Sequence, residues 1–157
     1  MKTISRVIRI AIIVTILGSA FSTWVVPREA LAGGPTLVIK VTGARNSKGR
    51  IGVAVFRGEA GFPGDTSKAL RVQQAEIDSK TLSAQVTLED IPQGEYAVTV
   101  FHDENMNGKL DKNMLGIPRE GYGASNNPPK QMHAPTFDEA KFTLGGTEQT
   151  VEIKLMY

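Results

Sequence analysis

From Leu37 onward the chain alternates apolar and polar residues in short runs, broken by Gly, Asn, Asp and Pro. A period of two marks a strand with one face on a core and the other toward water. Leu37, Ile39 and Val41 share one face, as do Ile51, Val53 and Val55, then Leu82, Ala84, Val86 and Leu88, and last Val151, Ile153 and Leu155. The pattern predicts strands over residues 36–42, 50–56, 71–77, 82–88, 96–102, 141–144 and 150–156. Helical periodicity is almost absent. Asn46-Ser47-Lys48-Gly49 and Asp78-Ser79-Lys80 carry turn chemistry, and each is expected to close a hairpin.

Two stretches fit no strand: residues 58–69, with Gly61-Phe62-Pro63-Gly64, and the long segment 103–139, rich in Gly, Asn and Pro. A loop longer than about fifteen residues inside a compact domain is usually functional or disordered. Seven short strands with such connections point to an all-β fold, a single antiparallel β-sandwich with one long ordered loop.

The first thirty-two residues follow a different rule. A basic start (Lys2, Arg6, Arg9), an apolar run over residues 10–26 and Ala30-Leu31-Ala32 make up a secretory signal with a small-x-small cleavage site. Cleavage is expected after Ala32, which leaves 33–157 as one domain and places it in the periplasm or outside the cell; retention as an anchor is the alternative. Lys2, Arg6, Arg9 and Arg28 fall in the leader and leave 14 of the 18 basic residues, while Glu29 leaves 15 of the 16 acidic ones. The domain is thus nearly neutral, with no Lys/Arg cluster for a phosphate backbone, and a nucleic-acid partner is not expected. The absence of cysteine removes disulfides, thiol catalysis and zinc–thiolate sites.

Two motifs carry a resemblance. Leu88-Glu89-Asp90-Ile91-Pro92-Gln93-Gly94-Glu95-Tyr96 resembles the Leu-Pro-x-Gly-x-Tyr turn and strand of transthyretin-like sandwich domains, one of two sandwich types, with the Ig-like one, that the pattern fits. Residues 101–111, Phe-His-Asp-Glu-Asn-Met-Asn-Gly-Lys-Leu-Asp, continued by Leu115-Gly116-Ile117-Pro118-Arg119-Glu120-Gly121-Tyr122-Gly123, resemble an exported bacterial family known as domain of unknown function 2141. That resemblance implies a bacterial envelope or extracellular location and no particular reaction.

The chemistry must therefore come from the residues. Asp103, Asn105, Asn107, Gly108 and Asp111 have the offsets of positions one, three, five, six and nine of a calcium loop, with Lys109 offering its backbone carbonyl at seven. Alternate oxygens then converge on a hard cation, and Gly at position six allows the sharp turn. Position twelve, where a bidentate Glu normally completes the shell, is Met114; Glu120 folding back could replace it. The other reading is a polar turn whose side chains cap backbone amides. Strands on both sides exclude an EF-hand domain in either case.

His102 is expected at the edge of the core or bonded to the loop, and His133 at the surface. Glu120, Asp138 and Glu139 are the acids that a periplasmic hydrolase could use as a carboxylate pair, although no serine sits in a Gly-x-Ser-x-Gly elbow. Phe56, Phe62, Tyr96, Phe101, Phe137 and Phe142 read as core and loop anchors, whereas Tyr122, between two glycines, is a candidate recognition residue. An outer-membrane barrel is disfavoured, because its strands need roughly nine to eleven residues each. The combined expectation is an exported, non-enzymatic binding or structural module, not embedded in a membrane, that meets an envelope or extracellular partner and is stabilised by calcium through the loop 103–111.

Overall fold

The computed structural model describes residues 33–129 and 133–157; the expected leader lies outside them. Eight strands, one short α-helix and a 3-10 turn at Thr66–Lys68 between β2 and β3 follow in the order β1 (Thr36–Thr42), β2 (Arg50–Phe56), β3 (Arg71–Ala75), β4 (Ala84–Leu88), β5 (Gly94–Asp103), β6 (Tyr122–Ala124), α1 (Phe137–Ala140), β7 (Phe142–Leu144) and β8 (Glu148–Lys154). They build two sheets, ordered β4-β1-β8 and β3-β2-β5-β6, with β7 pairing the first residues of β5. The fold is an all-β sandwich, as the alternation predicts.

The apolar faces read from the sequence are the ones that meet. Leu37, Ile39 and Val41 of β1, Val86 and Leu88 of β4, and Val151 and Ile153 of β8 pack on Ile51, Val53 and Val55 of β2 and on Tyr96, Val98 and Val100 of β5. Tyr96 is fully buried, and its hydroxyl donates to the carbonyl of Pro92 at 2.7 Å. The phenol thus ties down the turn that precedes its own strand, which accounts for the Tyr of that motif.

Strand β2 is buried on both faces from Ile51 to Phe56. Its second face is covered by a smaller cluster, in which Ala54, Phe56, Ala97 and Ala124 meet Phe137 and Ala140 of α1. Phe62 stands between Phe56 and Phe137 with both rings edge-on, at centroid distances of 5.4 and 5.8 Å. Ser125 locks this layer: its hydroxyl is fully buried, accepts from the Val98 N–H at 2.9 Å and donates to the Ala140 carbonyl at 2.5 Å.

Four expectations need correction. The residues 46–49 do not close a hairpin, because β1 and β2 belong to different sheets and the chain crosses the sandwich there. Asp78 and Ser83 do form a tight antiparallel bridge, yet β3 and β4 likewise lie in different sheets. The pairing is not antiparallel throughout, since β1 and β8 run parallel over their whole length, Thr36 opposite Glu148 through Thr42 opposite Lys154. The segment 103–139 is also not one loop: it contains β6 and the start of α1.

The two sheets are joined at one corner. Tyr122 of β6 and Met156, just beyond β8, exchange both backbone hydrogen bonds, at 2.9 and 2.8 Å. This bridge carries the chain end back over the segment 103–121. Among the described residues no helix is long and apolar enough to cross a membrane.

Candidate functional site

Strand β5 ends at Asp103, which is buried beside the equally buried Glu120. The carboxylate of Asp103 accepts the N–H of Asn107 on Oδ1 (3.0 Å) and of Gly108 on Oδ2 (2.8 Å). Asn105 Oδ1 accepts the same Asn107 N–H at 3.0 Å, and Asn107 Oδ1 accepts the Lys109 N–H at 2.8 Å. Each polar side chain thus turns the chain around the next backbone amide, and Met106 and Gly108 take positive φ values of 59° and 76° to permit it.

Asp111 closes the ring. Its carboxylate accepts the side-chain N–H groups of Asn105 at 2.7 Å and Asn107 at 3.0 Å. Asp103, Asn105, Asn107 and Asp111 are therefore brought together as their spacing implies. Glu120 has a different role from the sequence expectation: its two oxygens accept the N–H groups of Glu104 (2.9 Å) and Asp111 (2.9 Å), so it braces both ends of the loop from beneath.

The donor set tests the cation reading directly. Asp103 and Asp111 bring carboxylate oxygens to the ring, whereas the Asn105 and Asn107 amides turn their N–H groups toward Asp111 and their oxygens to backbone N–H groups, each amide oxygen keeping a second lone pair that a hard cation could use. Only Asp103 and Asp111 bring charge to the ring. Among the described residues no group of three or more His, Cys, Asp or Glu is placed to hold a metal ion. Calcium would hence rely on Asp103, Asn105, Asn107, Asp111 and the carbonyl of Lys109, a weakly charged set of the kind suited to millimolar ion levels.

A second polar network, not foreseen from the sequence, lies beside the loop. His102 is fully buried, with Nε2 2.7 Å from the Lys48 carbonyl and Nδ1 2.8 Å from the Tyr157 hydroxyl. The carbonyl can only accept, so Nε2 carries hydrogen. The Tyr157 oxygen facing Nδ1 also accepts the Arg45 N–H at 2.9 Å.

Burial pushes the Tyr157 phenol up from its ordinary pKa, against the opposing Arg45 N–H, so the hydroxyl keeps its hydrogen. The Arg45 guanidinium lies 4.8 Å over the Tyr157 ring and pairs with Glu104. Burial alone would raise the Glu104 carboxyl; the Asn46 amide and Arg45 outweigh it and hold the group below its ordinary value.

The chain matches the family model described as "Uncharacterized protein conserved in bacteria (DUF2141)" over residues 39–152. It belongs to that family. The DUF2141 match spans both sheets and the whole of the segment 103–121, so the loop and its braces lie within the family's domain. No curated protein and no solved structure matches the chain.

The other candidates of this DUF2141 domain are accounted for locally. Asp138 pairs with Lys141 at 2.9 Å, and Glu139 completes a capping box with Thr136 at the start of α1. With Glu120 committed to two backbone amides, the three acids have separate structural partners. His133 is exposed and contacts the neighbouring Ala134 carbonyl at 2.8 Å. Tyr122 is half-buried rather than free, since it forms part of β6.

Proposed function

We propose that the protein is an exported, non-enzymatic sandwich module that acts outside the cytoplasm, and that its segment 103–121 is the working surface, stabilised by calcium at Asp103, Asn105, Asn107, the Lys109 carbonyl and Asp111. The observation that carries this reading is the convergence of four oxygen-bearing side chains on one loop, held at its base by the buried Glu120. A loop without regular secondary structure pays its ordering cost only if something repays it. Here the side chains and the brace do so, which is the pattern of a presented surface rather than of a linker. The leader-like N-terminus supports the location.

Calorimetric titration of calcium into the chelator-treated protein, with thermal unfolding in parallel, tests the reading. Binding is expected at millimolar concentration, with a rise in the unfolding midpoint that Asp103→Ala abolishes. Absence of both heat and midpoint shift would reduce the loop to a polar turn.

A further inference from the structure

Beyond the ion-type ring, the segment 111–119 forms a projecting tip with an unusual distribution of side chains. Met114 is wholly exposed, Leu115 is 84% exposed and Ile117 53%; Met106 adds 67% on the adjoining turn. Four of the six exposed large apolar residues among those described therefore fall within twelve positions. Apolar groups gathered in this way mark a contact surface, whereas scattered ones do not.

The tip is closed on itself. The Asn113 N–H donates to the Ile117 carbonyl at 2.8 Å and the Gly116 N–H to the Asn113 carbonyl at 2.9 Å. Asn113 Oδ1 accepts the N–H groups of Leu115 (2.9 Å) and Ile117 (3.0 Å), and below them the Arg119 N–H reaches the Asp111 carbonyl at 2.8 Å. Most of the tip's backbone donors thus have partners inside the tip, and the outward-facing groups are mainly apolar side chains. An apolar medium penalises unsatisfied backbone groups, so this satisfaction is what entry into one requires.

The charges sort by sign. Lys109, Lys112 and Arg119 are exposed around the tip, whereas Asp111 is tied to two amides, Glu120 is buried under the loop and Glu104 is paired with Arg45. The tip therefore offers apolar points ringed by cations. A second copy of this chain would bring like charge against like.

We infer that this tip docks on an anionic lipid bilayer, with Met114, Leu115 and Ile117 entering the headgroup–acyl boundary and Lys109, Lys112 and Arg119 meeting the lipid phosphates. The domain lies on the surface and does not span it. The inference rests on neither calcium nor export, because Asn113 holds the tip and the ring of Asp103 does not.

The chain has no cysteine, so one reporter can be placed at will. In the full-length protein, an environment-sensitive fluorophore is attached at Leu115→Cys or, as control, at Thr147→Cys. Thr147 is exposed and precedes β8, at the opposite end of that strand from the Met156–Tyr122 bridge, roughly 20 Å away. The apolar N-terminal segment is common to both forms, so adsorption through it acts on both.

With phosphatidylcholine–phosphatidylglycerol vesicles the Leu115 label is expected to shift to the blue and to be quenched by acyl-brominated lipid, while the Thr147 label does neither. Neutral phosphatidylcholine vesicles should bind far more weakly. Lys109→Glu with Lys112→Glu and Arg119→Glu should weaken binding by roughly a hundredfold or more. Equal response at both labels, an equal Leu115 response to neutral vesicles, or no response except to a lipid-free envelope protein fraction would each overturn the inference, the last in favour of a protein partner.

Discussion

Nδ1 of the fully buried His102 lies 2.8 Å from the hydroxyl of Tyr157, 55 positions further along the chain. The same hydroxyl accepts the Arg45 N–H, so one oxygen near the chain's last strand serves groups from two other parts of the molecule. Tyr157→Phe keeps the ring under the Arg45 guanidinium and deletes only that oxygen. The imidazole nitrogen is then buried without a partner, and stability should fall by about 1–3 kcal/mol, read from urea unfolding. An unchanged midpoint would mean that water enters and replaces the phenol.

Glu104 gives the acid side of the stability curve one identifiable contributor. Its carboxyl is held below its ordinary value by Asn46 and Arg45, against the opposing effect of burial. The folded state therefore binds fewer protons than the unfolded one in the range just below the ordinary glutamate value. The contribution is fully present above that value and is lost as pH falls through the lowered one. Unfolding midpoints from about pH 3 to about pH 6 should flatten in Glu104→Gln by an amount worth about 1 kcal/mol or less, since Arg45 is half exposed.

Glu120→Gln tests the brace without changing its shape. A carboxylate can accept from both Glu104 and Asp111, whereas a carboxamide accepts on one side and presents N–H against N–H on the other. A loss of about 1–3 kcal/mol is expected. Amide exchange at Glu104 and Asp111 should rise more than at the β5 amides, which localises the effect to the loop.

Gly49 has φ at +69°, and a Cβ there would fall 1.9 Å from the carbonyl oxygen of Asp103. Gly49→Ala combines a strained backbone with a backbone clash that no rotamer relieves. It should cost more than about 3 kcal/mol in thermal or urea unfolding. It should also disturb the Asp103 turn, so calcium binding, where measured, should weaken with it.

Much of this architecture was legible in the sequence. Strands with a strict period of two, such as β1 and β2, were placed at their true ends because alternation reports burial on one face directly. Their partners were not, because the same alternation serves a strand in either sheet; hence the hairpin expected at residues 46–49 was a crossover. Strand β6 was missed for a different reason. It is three residues long and includes Gly123, where a Cβ would fall 2.8 Å from Ile153 Cγ2; the small side chain that permits the close approach also hides the strand.

The loop could be read from spacing alone, since its contacts span few residues. The sequence offers Glu120 as an ion ligand that folds back onto the loop, but its service to two backbone amides depends on how the chain folds back at residues 112–118. The network of Arg45, His102, Glu104 and Tyr157 had no local signal, since nothing in the sequence links groups so far apart.

The parallel pairing of β1 with β8 joins two strands that lie far apart in the chain. The two strands are more than a hundred positions apart, and β1 lies in the middle of its sheet, with β8 forming one of its two edges. High separation between contacting segments slows folding, because closure entropy is lost before the contacts return it. Until residues 148–154 arrive, β1 lacks half its hydrogen-bond partners and Ile39 lacks Val151 as its neighbour. A polypeptide emerging from its N-terminal end thus leaves one edge of β1 open until residues 148–154 follow.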